Sequence, residues 1–443
     1  MRLAGRCQSH SSCFSLGFIV KICCLALLVA VGSVGAVETV GSNSSAESSL
    51  PTASDVIKNA KAQANLLDLF KVLEDSFSAP STPDKTKEGL RQYFAAYETF
   101  VGLYPQALQT YESAALFNPP LRPTVENGYR PEHAVKELER LASGHRAIFL
   151  NEQHTNPQSR SLMIEVLRRL RHQGFGYFAV ETLSDSDPTL ASRGFPIDST
   201  GFYSKEPVYG EILREAARLN YKIIPYEADD DHSETVPERE RAQAKNLASR
   251  IFRLDGAAKA IVLAGPEHIH MSGSGVWAKP MAACFYEETG IRPLTIDQTV
   301  MYAHSDPRLD NPAYHDVVKT LPSFPTIFIS KNGSPWSLKS DVYDVSVFFP
   351  SSPKGEDRPA WLALNGLRKL SAVSNDSCRA SFPCLIEARY AEEPDSAIPA
   401  DRFLVNDANQ AISLYLRPSF YRLTITNANH DKNTQYLEIS SAK

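Results

Sequence analysis

The middle of the chain alternates short apolar runs with longer segments of helical periodicity. The apolar runs cover residues 147–150, 177–180, 222–226, 260–264 and 293–296. Between them, apolar residues recur every three or four positions over 159–172, 210–219, 237–254 and 280–289. This alternation predicts a parallel sheet whose strands are joined by crossover helices.

Each apolar run is followed by residues that can bind a metal or transfer a proton. They are Asn151-Glu152-Gln153-His154, Glu181, Glu227, Gly265-Pro266-Glu267-His268 and Asp297. Ligands bind beyond the carboxyl ends of the strands in such sheets. The sequence therefore predicts that one sheet edge gathers two histidines and several carboxylates in an active or ligand-binding site.

The flanking regions have different patterns. Helical spacing of apolar residues predicts a helical N-terminal region at 53–133, and the α/β domain then covers 134–310. From about residue 322, short β-type runs alternate with Pro, Asn, Asp, Ser and Gly clusters. We predict a β-rich C-terminal domain at 322–443, a small sandwich whose stretch 416–423 resembles the closing hairpin of Ig-like modules.

The N-terminus has the pattern of a targeting segment. Arg2 and Arg6 precede an apolar stretch at 22–31, and small residues lead to Ala36. This pattern predicts a signal peptide at 1–36, with an uncleaved membrane anchor as the alternative. A disordered lead-in is expected at 37–52, which is rich in Ser, Ala and Glu. The mature protein is then expected to be secreted or periplasmic, without a transmembrane span.

Charge and cysteine content narrow the classes of function. The net charge of −5 gives no electrostatic case for nucleic-acid binding. In an oxidising compartment Cys378 and Cys384 are close enough in sequence to form a disulfide, whereas Cys284 is expected to be a buried thiol. The chain has no Gly-rich dinucleotide or Walker loop, no Gly-x-Ser-x-Gly elbow and no His-Glu-x-x-His motif.

Two histidines and one carboxylate form a known catalytic metal set that leaves a position open for water. His154, Glu181 and His268 each follow a predicted strand. We predict that they bind a divalent metal or, without one, form an acid/base set. Glu152 is predicted to act as a general base or to orient His154, with a surface carboxylate as the alternative.

Three further residues complete the predicted site. Glu227 ends a strand at the expected edge and is predicted to take part in catalysis. Arg241 is predicted to bind an anionic substrate group, with a surface ion pair as the alternative. His270 follows His268 by two positions and is predicted to contact substrate, as a ligand or a proton shuttle, or to lie in an exposed loop.

These motifs resemble a superfamily that includes the ChaN-like haem-uptake lipoproteins, the TraB and Tiki proteins and, more distantly, the erythromycin esterases. Leu150-Asn151-Glu152-Gln153-His154-Thr155-Asn156-Pro157 resembles the ChaN-type opening Leu-Gly-Glu-x-His-x-Asn-Pro. Val180-Glu181 resembles the glutamate after the second strand, and Gly265-Pro266-Glu267-His268 resembles the second Gly-x-x-His motif. Arg241 with Asn246-Leu247-Ala248 resembles the family's Arg plus Met-Ala helix.

The resemblance covers roughly residues 134–299 and implies an α/β parallel-sheet core with paired histidines and a glutamate in one cleft. Resemblance to the Tiki-like members implies a metal-dependent peptidase, and resemblance to the esterase-like members implies hydrolysis assisted by His and Glu. Resemblance to the ChaN-like members implies haem binding. Asn151 stands where the first motif usually has Gly. Asn tolerates a positive φ, but it would obstruct a ligand that must approach the backbone closely.

Three functions remain open from the sequence. The first is a secreted or periplasmic hydrolase of amide or ester bonds acting on a peptide or small molecule. The second is a haem- or iron-binding protein without catalysis, whose axial ligand is a His or one of Tyr203, Tyr209 and Tyr226. The third is a binding module in which the β domain contacts a glycan or protein.

Overall fold

The computed structural model describes residues 51–114, 124–228, 235–353 and 357–440. The predicted signal peptide at 1–36 and nearly all of the lead-in at 37–52 lie outside these ranges. Pro51–Lys443 form one compact unit. Within the described ranges, we find no helix that is both long enough and apolar enough to cross a membrane.

The described residues form helices and strands in a mixed order. The helices are α1 (Ala53–Lys61), α2 (Leu66–Ser78), α3 (Asp84–Phe100), α4 (Tyr104–Glu112), α5 (Ala134–Ala142), α6 (Met163–Arg171), α7 (Leu190–Arg193), α8 (Pro207–Arg218), α9 (Val236–Leu247), α10 (Met281–Thr289) and α11 (Pro312–Val317). The strands are β1 (Arg130–His133), β2 (Ala147–Asn151), β3 (Tyr177–Val180), β4 (Lys222–Pro225), β5 (Ala260–Ala264), β6 (Leu294–Asp297), β7 (Thr326–Ile329), β8 (Val345–Ser346), β9 (Lys369–Ala372), β10 (Cys384–Tyr390), β11 (Asp401–Val405), β12 (Ser413–Leu416), β13 (Ser419–Thr426) and β14 (Lys432–Ile439).

The central sheet has six parallel strands in the order β4-β3-β5-β2-β6-β8. Its first five strands in chain order are the five predicted apolar runs, shifted by at most one residue at either end. Strands β2, β3, β5 and β6 are buried along their whole length because helices cover both faces, whereas the edge strand β4 is partly exposed. Along β2, Ile148 and Leu150 pack with α5, α6 and α8, whereas Ala147 and Phe149 pack with α9 and α10.

Helices α1 to α4 form the predicted helical N-terminal region. Their apolar side chains, including Phe70, Phe94 and Phe100, are buried. Helix α3 buries most of its C-terminal half, from Tyr93 to Phe100, because its aromatic residues contact both the other N-terminal helices and the segment before α8. The helical region is therefore packed on the α/β core.

The C-terminal region contains a four-stranded antiparallel sheet in the order β11-β10-β13-β14 and a two-stranded sheet of β12 and β9. The predicted strand at 326–329 instead pairs with β1, and β8 joins the parallel sheet beside β6. The sequence places both strands after residue 322 with the β-rich domain, because their local pattern does not reveal distant partners. The disulfide between Cys378 and Cys384 is confirmed, as is the buried free thiol of Cys284.

Candidate active site

The two predicted histidines meet at one position on the carboxyl edge of the sheet. Strands β2 and β5 are neighbours, so the segments that follow them run side by side. A Cβ added at Gly265 would lie 3.1 Å from Nε2 of His154 and 3.2 Å from Cδ2 of His268. The glycine therefore gives room for both rings, and it explains why this residue type follows β5.

His154 is held by a buried carboxylate. Its Nδ1 lies 2.5 Å from Oε1 of Glu152, whose other oxygen accepts a hydrogen bond of 2.9 Å from Nε of Arg160. Burial disfavours the charged carboxylate, but Arg160 and His154 outweigh burial and lower the pKa of Glu152. Among the described residues, no hydrogen bond engages Nε2 of His154, and 17% of the side chain is exposed. The ring thus has one fixed and one open nitrogen.

His268 is enclosed by carboxylates on both sides. Its Nδ1 lies 2.7 Å from Oε1 of Glu240, and its Nε2 lies 3.2 Å from Oε1 of Glu181. Burial opposes the charged ring, but Glu181 and Glu240 raise the pKa of His268 to about 10. The two carboxylates therefore favour the protonated form of the ring, and only 5% of its side chain is exposed.

Glu181 joins His268 to Arg239 and to the backbone of Gly265. Its Oε2 accepts a hydrogen bond from the backbone N–H of Gly265, and its Oε1 accepts one of 2.6 Å from Nη2 of Arg239. Burial disfavours its charge, but His268 and Arg239 hold the pKa of Glu181 well below its usual range. Glu181 thus lies beside His268, and its predicted role as a catalytic residue or metal ligand stays a prediction.

The arginine that contacts the carboxylates of this cluster is Arg239. Arg241 lies elsewhere on the same helix, and its substrate-binding role stays a prediction. Arg239, Gln243 and Asn246 all contact Glu227: the first two donate to its carboxylate and the third to its carbonyl oxygen. Arg241 lies about 200° further around the helix and is exposed. Glu227 itself reaches the cluster through its ion pair with Arg239 and is the most exposed of its carboxylates, at 34%.

Asn151 has a structural role that Gly could not fill. Its side-chain amide donates to Oδ1 of Asp297 at 2.8 Å and to the carbonyl of Pro266 at 3.1 Å, and its Oδ1 accepts from the backbone of Gln298. It lies in β2 and is fully buried. Asn151 therefore ties the ends of β2 and β6 to the loop that carries His268.

The remaining predicted residues lie at different distances from the two rings. His270 packs against Tyr343 with ring centroids 5.7 Å apart, and burial lowers its pKa to about 4. Tyr203 stacks on His154 with centroids 3.9 Å apart. Tyr209 lies under the guanidinium of Arg160, and Tyr226 donates to the carbonyl of Leu263. Of the three tyrosines, only Tyr203 has a ring contact with a predicted site histidine.

Four residues of the site were not predicted from the sequence: Arg160, Glu206, Arg239 and Glu240. For Glu240 a usable signal existed, because Val236, Ala244 and Leu247 define the inner face of α9 and Glu240 falls on the same face. Arg160 and Glu206 carried no comparable signal. Their burial depends on a contact of 3.1 Å between residues on two separate segments.

The residues present do not fit a divalent metal in this arrangement. A metal bound by His154, Glu181 and His268 would need Nε2 of His268 and Oε1 of Glu181, but the Arg239 guanidinium contacts both atoms, at 3.2 and 2.6 Å. Nδ1 of His268 faces Glu240 instead. Over the described ranges, no group of three or more His, Cys, Asp or Glu side chains is arranged to hold a metal ion.

No protein-family model matches the chain, and no curated protein matches it. Among solved structures, the type III effector HopBA1 is 19% identical, with 42% of this chain and 95% of that chain covered and a TM-score of 0.28. RRSP, a MARTX toxin effector domain from Vibrio vulnificus, is 13% identical, with 55% of each chain covered and a TM-score of 0.30. A structure of bacterial protein toxins is 13% identical, with 56% of this chain and 57% of that chain covered and a TM-score of 0.31. This chain thus spans little more than half of the two toxin structures, and the resemblance to ChaN, TraB and Tiki proteins stays a prediction.

Proposed function

We propose that the protein hydrolyses amide or ester bonds with a His/Glu acid–base set that acts without a metal. One observation carries the proposal: the open Nε2 of His154 and the charged ring of His268 both adjoin the position of a Cβ at Gly265. A base close to a positive charge is what acyl transfer to water needs.

His154 would act as the general base. Glu152 accepts from Nδ1, which leaves Nε2 as the acceptor of a proton from an attacking water. The water oxygen forms the new bond to the carbonyl carbon. The same ring then returns the proton to the departing amine or alcohol as the bond to the leaving group breaks. Glu152 stays ionised throughout because Arg160 stabilises its charge.

His268 and Arg239 would stabilise the oxyanion of the tetrahedral intermediate. Both cations are held by carboxylates, and their charge is fixed before the substrate arrives. Glu181 and Glu227 set the position of Arg239 and do not themselves meet the reacting atoms. The catalytic roles predicted for Glu181 and Glu227 thus become positioning roles in this proposal.

The test is hydrolysis of p-nitrophenyl acetate and of a mixed fluorogenic peptide library by the full chain, with and without EDTA. We expect activity that resists EDTA, and a fall of roughly 10²–10⁴-fold in kcat for His154→Gln. His172→Gln, at an exposed position, is the matched control and keeps wild-type activity. Equal rates in both variants would overturn the assignment of His154.

Two rival outcomes have their own readouts. Activity that EDTA removes and Zn²⁺ restores would favour the metal-dependent peptidase implied by the Tiki-like resemblance. A Soret band on haem titration that is lost in His154→Gln would favour haem binding of the ChaN type. Secretion to the periplasm or medium, and an Ig-like accessory role for the C-terminal sheet, belong to the same proposal.

A further inference from the structure

The two groups that support His154 share one short segment, residues 201–206. Tyr203 covers one face of the His154 ring at 3.9 Å and an interplanar angle of 14°. Glu206 accepts a hydrogen bond of 3.1 Å from Arg160, and Arg160 in turn holds Glu152, which contacts Nδ1 of His154. A displacement of this segment would therefore reach His154 by two routes.

The N-terminal helices contact the same segment through side chains. Phe202 lies within an aromatic cluster of α3, with ring centroids 5.5 Å from Tyr93 and 5.3 Å from Phe100. The hydroxyl of Tyr104, at the start of α4, donates to Oε1 of Glu206 at 2.9 Å. Tyr104 and Glu206 are both buried, so water does not compete for this hydrogen bond.

The backbone of the segment is anchored elsewhere, at the end of β3. The N–H of Tyr203 donates to Oγ1 of Thr182 at 2.8 Å. A Cβ at Gly201 would lie 2.0 Å from the carbonyl oxygen of Thr182, so only glycine allows this approach. The β3 contacts thus determine the chain path, whereas the helical contacts surround the Phe202 ring. The Glu206 carboxylate accepts from the N–H groups of Val208 and Tyr209 at the start of α8, and the Tyr104 hydroxyl adds a contact from α4.

We infer that the N-terminal helices α3 and α4 position the His154 ring through residues 202–206. The helical region then helps to form the active site. The residues that position the His154 ring are Phe202, Tyr203, Glu206 and Tyr104. The catalytic consequence rests on the proposed hydrolase function. The position of the His154 ring can be observed without a substrate, so the inference about it does not depend on that function.

The stacked tyrosine provides a direct readout. An aromatic ring over an imidazole face displaces the imidazole proton signals upfield by its ring current. In the full chain with ¹³C-labelled histidine, the signals of His154 are identified among the 11 histidines as those missing from His154→Gln. Tyr203→Leu then gives their position without the stacked ring, at one fixed pH.

We expect Phe202→Ala to move the His154 signals most of the way to their position in Tyr203→Leu, although Tyr203 is still present. Tyr104→Phe, which removes one hydroxyl, is expected to broaden or shift them by less. Phe70→Ala is the matched control: Phe70 is buried in the same helical region, and its ring centroid lies 5.7 Å from that of Phe94. It should destabilise the helices and leave the His154 signals in place.

Unmoved His154 signals in folded Phe202→Ala would overturn the inference, as would equal shifts in Phe70→Ala. If Phe202→Ala does not fold, Tyr104→Phe and Phe202→Leu carry the same test. With a substrate in hand, we expect kcat to fall about tenfold in Phe202→Ala with KM unchanged. If no substrate is ever found, the proposed function fails and the NMR result still decides the inference.

Discussion

The two histidines of the site arise from similar sequence patterns but lie in different surroundings. Each follows an apolar parallel strand by a few residues and has a carboxylate within 2.7 Å of its Nδ1. His154 has one carboxylate partner, a stacked tyrosine and an open Nε2. His268 has two carboxylate partners, Glu181 and Glu240, and is enclosed.

The chemistry of each ring therefore depends on the charged residues around it beyond the sequence motif. Arg160 neutralises the charge that Glu152 brings to the His154 side. On the His268 side, Glu181 and Glu240 together stabilise a proton that burial alone would remove. The same residue type can therefore serve as a proton acceptor on one strand end and as a fixed cation on the next.

Arg160→Met should cause the largest loss of stability, because it removes the cation that holds Glu152 beside His154. It leaves Glu152 and Glu206 as buried carboxylates that have lost their shared cation. We expect a loss of about 3–5 kcal/mol in the free energy of unfolding, measured by urea denaturation. Arg250→Met removes a more exposed ion pair with Asp185 and should cost less than about 1 kcal/mol. Similar losses in both variants would contradict the structural role of Arg160.

Gly265→Ala should cause an intermediate loss of stability. It should also show which of the two histidine rings is displaced. The added Cβ meets both rings at 3.1–3.2 Å, so one must shift. We expect His154 to move because it is the more exposed, with a loss of about 1–3 kcal/mol and a lower kcat. Gly256→Ala adds a Cβ with nothing within 4 Å and serves as the control. A crystal structure in which His268 moved instead would contradict the expectation that the His154 ring is the more easily displaced of the two.

The pH dependence of stability should belong to His268 and should be the most gradual of the three effects, because it is spread over several pH units. Its pKa rises from 6.5 to about 10 on folding, so its stabilising contribution is complete below pH 6.5 and is lost as the pH rises towards 10. We expect the stability of the wild type relative to His268→Gln to fall by at most about 1.4 kcal/mol per pH unit over this range. A difference that does not change with pH would show that the ring is not a buried cation. His172→Gln controls for loss of a surface imidazole.

The sequence predicted the parallel strands and their ends because β2, β3, β5 and β6 are buried on both faces and read as continuous apolar runs. It also predicted the meeting of His154, Glu181 and His268 at one edge. It did not reveal that β2 and β5 are neighbours, and this order is what brings the two rings to Gly265.

The missed residues make contacts that local patterns do not encode. In the run Glu238-Arg239-Glu240-Arg241 every residue is charged, so polarity alone could not assign the inward face of α9. The apolar stripe on either side does assign it, and it leaves Arg241 exposed. Glu206 was missed because its partners, Tyr104 and Arg160, are brought to it only by the tertiary fold.

The short strand β8 has a consequence for the order in which the chain folds. Strand β6 pairs with β2 on one side, and its other side is covered by the short strand Val345–Ser346 and its neighbours Asp344 and Val347. Until the ribosome has delivered these late residues, the growing sheet has an open edge beside β6, which can pair with other chains. Parallel pairing between such distant segments is also slow. Efficient biogenesis therefore depends on how quickly residues 345–346 reach that edge.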